Sequence, residues 1–196
     1  MELEFAFFTD QFIEEREQFQ TYDTTSIFIN YKDTQFEMID TPGHLEFLKK
    51  MITGASKAGE AILIIDINEG IKEQTVIHTM IIKLLGVKRP IILINKIDLI
   101  NYNFEKYQKV EYKIKEFLAP YGFSDCIIIP ISAKVGDNIF SNSVNTPWFR
   151  GNTLIKELTL LKSEESGSDT PLRLPVQDSL FFKNNCLMII RSILGA

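Results

Sequence analysis

Residues 61–98 read AILIIDINEGIKEQTVIHTMIIKLLGVKRPIILINKID, and this stretch decides the fold. Ala61–Ile65 is an all-apolar run ending on Asp66, which suits a short strand covered on both faces. A helix follows, with an apolar stripe at Ile77, Met80, Ile81, Leu84 and Leu85. Gly86 stands where a left-handed cap would end that helix. His78 neighbours the stripe without belonging to it, which directs its ring to solvent. Pro90–Ile94 is a second buried strand. Two short buried strands joined by a helix predict a parallel pair, because parallel strands need such a crossover.

The pattern continues in both directions. Downstream, Phe104, Tyr107, Val110, Ile114, Phe117 and Leu118 recur at helical spacing, with lysines and glutamates on the other faces. Cys126–Ile131 makes a further strand, and Thr153–Leu161 a last short helix. Upstream, Ser26–Tyr31 and Thr34–Ile39 flank Lys32-Asp33 and predict an antiparallel hairpin. A helix with stripe Leu48, Met51, Ile52 and Ala55 comes after it. Alternating strands and helices imply an α/β fold with a mostly parallel sheet and helices on both faces. Ligands in such folds gather beyond the carboxyl ends of the strands. Asp40, Asn95 and Ser132 each follow directly on a strand, so three loops are expected to converge on one ligand.

The composition narrows the class. The 196 residues are 45% apolar and 24% charged, as in a folded globular chain with one main core. A net charge of −5 offers no general attraction to nucleic-acid backbones or anionic lipid. Cys126 and Cys186 lie far apart with neither CxxC nor Cys/His spacing, so structural zinc is not expected and a reduced, cytoplasmic setting is. No segment reaches the roughly twenty apolar residues of a membrane span.

Three motifs carry chemistry. In Asn95-Lys96-Ile97-Asp98, a carboxylate at Asp98 can accept two parallel hydrogen bonds from the ring N–H and exocyclic amine of guanine; adenine has no such donor pair. The stem of Lys96 can lie over the base plane, and Asn95 can tie neighbouring loops together. In Asp40-Thr41-Pro42-Gly43-His44, Asp40 at a strand end can hold Mg²⁺ through water. Gly43 lets a backbone N–H approach a terminal phosphate, and His44 can orient the attacking water. In Ser132-Ala133-Lys134, small residues let the backbone reach the guanine carbonyl oxygen. Thr21, in the polar stretch Gln18–Thr25, is a candidate Mg²⁺ ligand. Each motif alone has an ordinary explanation: a turn opened by Asp98, a Pro-Gly turn, a solvated loop threonine. Their order along the chain supplies the specificity. Glu14-Glu15-Arg16-Glu17 reads as a solvated helix face, and Trp148 as an anchor for a long loop.

That order is a threonine loop, hairpin, aspartate turn, strand, helix, strand ending in Asn-Lys-x-Asp, helix, and strand ending in Ser-Ala-Lys. It resembles the GTP-binding domain of the translation-factor class of GTPases, the elongation factor Tu and elongation factor 1-alpha superfamily. The resemblance covers roughly Glu14 to Leu161, with a short match at Leu172–Gln177. Four further stretches resemble two members in particular: Glu15-Arg16-Glu17-Gln18, Met51-Ile52-Thr53-Gly54-Ala55, Gly136-Asp137-Asn138, and Pro147-Trp148-Phe149 with Gly151. One is the large, GTP-hydrolysing subunit of bacterial sulfate adenylyltransferase; the other is elongation factor 1-alpha. Asp23-Thr24-Thr25 tilts the comparison toward sulfate activation. The resemblance implies GTP or GDP and Mg²⁺ as cofactors. It also implies His44 as the catalytic residue; Gly43, Asn95, Lys96, Asp98, Ser132, Ala133 and Lys134 as nucleotide-binding residues; and Thr21 and Asp40 at the metal. In the sulfate reading the partner is a small adenylyltransferase subunit, and in the translation reading it is aminoacyl-tRNA. A non-catalytic interaction module is a third reading.

The chain also departs from the family. Gly-x-x-x-x-Gly-Lys-Ser/Thr, the phosphate cradle, does not occur in the sequence. Phe19 and Gln20 replace the glycine and aliphatic residue usual before the switch threonine. The expectation is a P-loop-NTPase-like sheet lacking its first strand and phosphate loop, with Met1 to Phe12 as the remainder of the first helix. The strands ending at Asp40 and near Asp66 would then flank a gap. Base recognition should survive this better than phosphate binding, leaving GTP hydrolysis by this chain weak. Residues 1–162 are read as the incomplete GTP-binding domain, 163–171 as a Ser/Gly/acid linker, and 172–196 as a β-barrel entry that is truncated or altered. In the tail, Leu187–Ile190 and Ile193-Leu194 are apolar with no evident pairing partner.

Overall fold

The computed structural model describes residues 24–161 together with the strands 176–182 and 185–190. The chain divides into two units, residues 1–161 and 162–196. In the first unit, strands β1 (Thr25–Tyr31) and β2 (Thr34–Asp40) form an antiparallel hairpin in which Thr25 pairs with Asp40 and Tyr31 with Thr34. Lys32 takes a left-handed conformation at its turn, with φ 52°. Helix α1 (Leu48–Ala55) follows a short 3-10 turn at Leu45–Phe47. It lies close against the hairpin. A Cβ on Gly54 would come within 2.7 Å of Thr24 Cγ2 and 2.9 Å of Thr41 Cγ2, so only glycine lets the helix approach this near.

Strands β3 (Ile62–Asp66), β4 (Ile91–Asn95) and β5 (Ile127–Pro130) form a parallel sheet in the order β3-β4-β5. Ile62 pairs with Ile91 and Ile91 with Ile127, so the carboxyl ends of all three strands finish along one edge. Helices α2 (Glu73–Leu84) and α3 (Phe104–Leu118) connect them. On one face, Leu63, Ile65, Ile92 and Ile94 pack with Ile82 of α2 and with Tyr107, Ile114 and Leu118 of α3. On the other, Ile91, Leu93, Ile129 and Ile131 pack with Phe149 and with Leu154 and Leu158 of helix α4 (Leu154–Leu160). This is the α/β arrangement read from the sequence, a parallel sheet flanked by helices. Among the described residues the hairpin and the three-stranded sheet are separate sheets.

Helix ends follow local chemistry. Asn103 caps α3 by accepting the Lys106 N–H at 2.9 Å. Gly86 ends α2 at φ 80°, with Gly86 N–H donating to Lys83 O and Val87 N–H to Ile82 O, the paired bonds of a Schellman motif. The phase of α2 differs from its apolar stripe. Met80 is 52% exposed and Leu84 79%, whereas Thr75, Thr79 and Ile81 are buried. The threonines can be buried because their hydroxyls are satisfied at home: Thr79 Oγ1 donates to Thr75 O at 2.7 Å, and Thr75 Oγ1 accepts the Lys72 N–H at 3.1 Å. The strand at 61–65 also departs from expectation. Ile64 is 61% exposed, because β3 is the outer strand of its sheet and α4 covers the β4–β5 side of that face.

In the second unit, β6 (Val176–Phe182) and β7 (Asn185–Ile190) pair antiparallel, with an irregularity between Val176 and Asp178. The apolar run at 187–190, expected to lack a partner, is therefore half of a hairpin.

Candidate functional site

The site is built where β4 and β5 end. Past β4 the chain turns sharply: Lys96 is left-handed (φ 66°, ψ 35°) and a 3-10 turn runs over Ile97–Ile100. Past β5, Ile131 N–H still bonds Ile94 O at 2.8 Å, and Ile97 N–H reaches Ile131 O at 3.3 Å, so the two loops leave the sheet together. Between them lies a cleft of about 290 Å³ lined by Asn95, Lys96, Asp98, Leu99, Ser132, Ala133 and Lys134. Two sequence motifs far apart in the chain thus share one wall-to-wall space.

Asn95 sits at the join. Its side-chain oxygen accepts Lys96 N–H at 2.8 Å and Ala133 N–H at 3.0 Å, tying the first loop to the second. Ser132 is fully buried; its carbonyl accepts Gly136 N–H at 2.7 Å and its backbone bridges to Asp137. Lys96 Nζ lies 2.8 Å from Asp66 Oδ2 at the end of β3. Asp66 is in turn held by the N–H groups of Asn68 (2.7 Å) and Glu69 (3.2 Å). Burial works to raise the Asp66 pKa, but the Lys96 ammonium and the two N–H donors outweigh it and bring the carboxyl below its ordinary value. The same bond to Asp66 raises the Lys96 pKa. Among the described residues the Asp98 carboxylate makes no hydrogen bond or ion pair, so both of its oxygens are available to donors entering the cleft.

The Asp40–His44 turn does not line this cleft. Asp40 closes β2 and is half-buried, Pro42 is buried, and Gly43 and His44 are exposed. The turn is fixed from outside by His78, whose Nε2 lies 3.1 Å from Gly43 O. This corrects the expectation that His78 faces solvent, and the reason is tertiary: the carbonyl it meets is thirty-five positions away. Burial lowers the His78 pKa, and the bond to Gly43 O partly opposes the shift. A neutral ring protonated at Nε2 satisfies both. Of the expected convergence, the loops after Asn95 and Ser132 share the cleft, and the Asp40 turn stands apart from its lining. Thr21, like the Glu14–Glu17 segment, lies outside the described residues.

Two elements had no sequence signal for a site role. Asp66 was visible only as a strand end. Tyr102 was not singled out at all, yet it donates its hydroxyl to Asp137 Oδ2 at 2.9 Å. Trp148 anchors the long loop as expected, stacking near Tyr107 (centroids 4.7 Å) and Phe104 (5.3 Å), with Nε1 donating to Tyr102 O at 3.1 Å.

Known proteins share this layout. The family model described as "Elongation factor Tu GTP binding domain" matches residues 2–173. Elongation factor 1-alpha of Methanosphaera stadtmanae is 41% identical over 176 residues, covering 89% of this chain and 43% of the relative. That of Methanocorpusculum labreanum is 43% identical over 177 residues, covering 89% and 42%. The chain spans about two-fifths of the length of these relatives. Among solved structures, a bacterial selenocysteine-specific elongation factor superposes with a TM-score of 0.66 at 28% identity, covering 92% of this chain and 29% of that one. A parallel sheet whose two carboxyl-end loops carry Asn-Lys-x-Asp and Ser-Ala-Lys, matched over nearly its whole length, places the chain in the elongation factor Tu GTP-binding domain family.

Proposed function

We propose that the cleft receives the base of a guanine nucleotide and that the chain is the nucleotide-binding part of a translation-factor-type GTPase. One observation carries the reading: Asn95, Lys96, Asp98, Ser132, Ala133 and Lys134, drawn from two separate motifs, line a single cleft. In it, Asp98 accepts the ring N–H and exocyclic amine of guanine through its two oxygens. Lys96, its ammonium drawn aside by Asp66, lays its stem along the base plane. Asn95 holds Ala133 so that the backbone there meets the guanine carbonyl oxygen.

The phosphate end is assigned to the Asp40–His44 turn. With nucleotide bound, Asp40 would hold Mg²⁺ through water, Gly43 would offer its N–H to the terminal phosphate, His44 would orient the attacking water and Thr21 would add a hydroxyl at the metal. Among the described residues no three His, Cys, Asp or Glu are grouped to hold a metal. A single carboxylate at the end of β2, Asp40, suits Mg²⁺, which takes one or two carboxylates and relies on phosphate oxygens for the rest. When bound it would neutralise charge on the phosphates. We further propose that the complete protein carries aminoacyl-tRNA. Relatives named elongation factor 1-alpha favour this over sulfate activation with a small adenylyltransferase subunit, reversing the tilt taken from Asp23-Thr24-Thr25.

The test is a titration of the isotopically labelled chain with GDP and with ADP, followed by amide NMR. GDP should move the signals of residues 95–99 and 132–134, and ADP should not. Equal responses would refute the base assignment. GTP turnover by this chain, read as phosphate release, should be weak or undetectable, since the sequence has no Gly-x-x-x-x-Gly-Lys-Ser/Thr. Magnesium-dependent turnover lost on Asp40→Ala would overturn that expectation.

A further inference from the structure

The bonds made by Asn95 fix the cleft only at its root, beside the sheet. A second side-chain contact joins the same two loops farther along the chain. Tyr102, at the far end of the loop after β4, donates its hydroxyl to Asp137 on the loop after β5. Asp137 is buried and also accepts from Ser143 Oγ at 2.5 Å, with Asn145 Nδ2 at 3.5 Å. Its backbone bridges to Ser132, which lines the cleft. The carboxylate is therefore anchored to its own loop on one side and reaches across to Tyr102 on the other.

The backbone on both sides of this contact is unusual. Among the described residues five non-glycine residues have positive φ, and four of them, Lys96, Asn101, Tyr102 and Asn138, belong to these two loops or their immediate continuation. A bulky residue at φ 55°, as Tyr102 is, is rare and persists only where its surroundings over-determine it. Tyr102 is held three times: N–H to Ile97 O at 3.1 Å, carbonyl from Trp148 Nε1 at 3.1 Å, and hydroxyl to Asp137. Burial, and then the bond to Asp137, raise the pKa of the hydroxyl, which keeps the proton on the donor at neutral pH.

We propose that Tyr102 and Asp137 are positioning residues, a clasp that sets the spacing between the Asp98 side and the Ser132-Ala133 side of the cleft and so sets selectivity for guanine. This rests on the base-binding reading above. Guanine is recognised from two loops at once, its N–H and amine by one and its carbonyl by the other. Hydrogen bonds weaken steeply with misalignment, so the two sets are made together only if the loops keep their separation. Removing the clasp should therefore harm a base that uses the amine more than one that lacks it. Hypoxanthine is that base, identical to guanine but for the exocyclic amine.

The experiment compares GDP and IDP affinities by amide NMR titration of the full chain, for the native sequence, Tyr102→Phe, and Tyr112→Phe as a control. Tyr112 is exposed on α3 and remote from the clasp. Tyr102→Phe should lower the GDP-to-IDP affinity ratio about three- to tenfold, the worth of one well-placed hydrogen bond, and Tyr112→Phe should leave it unchanged. General destabilisation would weaken both nucleotides alike and leave the ratio intact. Tyr102→Phe should also speed amide exchange in residues 96–102 and 132–137 without doing so in α3. A native chain that binds GDP, with a ratio unmoved by Tyr102→Phe, overturns the clasp and leaves the base assignment standing. If GDP moves no signal of the cleft in the native chain, the base assignment falls and the clasp with it.

Discussion

Asn95→Ala is the sharpest probe of how the cleft is assembled. The amide oxygen of Asn95 accepts two backbone N–H groups, Lys96 at 2.8 Å and Ala133 at 3.0 Å, and so links the two loops directly. A neutral hydrogen bond contributes about 0.5–1.5 kcal/mol net, and both bonds here are partly open to water, which can replace the lost acceptor. The loss should come to about 1–2 kcal/mol. For a chain of this size each kcal/mol shifts the melting temperature by about 2–4 °C, so a drop of about 2–8 °C is expected. Differential scanning calorimetry reads it directly. Asn95→Asp keeps both acceptor positions and should recover part of the loss at neutral pH, although it adds charge near Asp66 and Asp98. A melting temperature for Asn95→Ala within 1 °C of the native chain's would mean, on the same scale, that the bridge is incidental to the loops' arrangement.

Three other outcomes follow from the same geometry. Asp98→Asn replaces an acceptor pair by an acceptor and a donor, so preference should move from guanine toward xanthine nucleotides by at least about tenfold in a competition titration; unchanged GDP affinity would refute it. The folded state lowers the His78 pKa through burial, so His78 contributes stability in full above its ordinary value and loses it as pH falls below that value. The melting temperature should therefore decline from pH 7 to about 5.5, and His78→Gln, which keeps a donor toward Gly43 O, should flatten the decline; an identical slope in the variant would contradict the assignment. Gly86→Ala places a Cβ on a residue at φ 80°, with no neighbour within 4 Å to blame for a clash. It should cost about 1 kcal/mol from backbone conformation alone, and calorimetry showing no loss would count against the left-handed cap.

The sheet and its connections were legible because their signal is local. Ile91–Ile94 is apolar without interruption, and such a run between turn residues has few other uses. Asn95, Lys96 and Asp98 were legible for a similar reason, since strand end and motif coincide. The phase of α2 was not. Six of its twelve residues are apolar, and the sequence does not reveal that Thr75 and Thr79 satisfy their hydroxyls on nearby backbone and displace Met80 and Leu84 outward. His78, Asp66 and Tyr102 escaped for another reason. What each does depends on a partner brought close by folding: Gly43 O, Lys96 and Asp137. No periodicity encodes such pairings. The exposure of Ile64 likewise depends on which strand ends up outermost.

The left-handed turn at Lys96 has a bearing on how the loop should be mutated. A residue there must meet two demands of different origin, a backbone conformation costly for any side chain with a Cβ and an ammonium that reaches Asp66. Alanine removes the ammonium and keeps the conformational penalty; glycine removes both. The difference between those two replacements isolates the strain held in the lining of the cleft, whereas an alanine scan alone would credit all of it to charge.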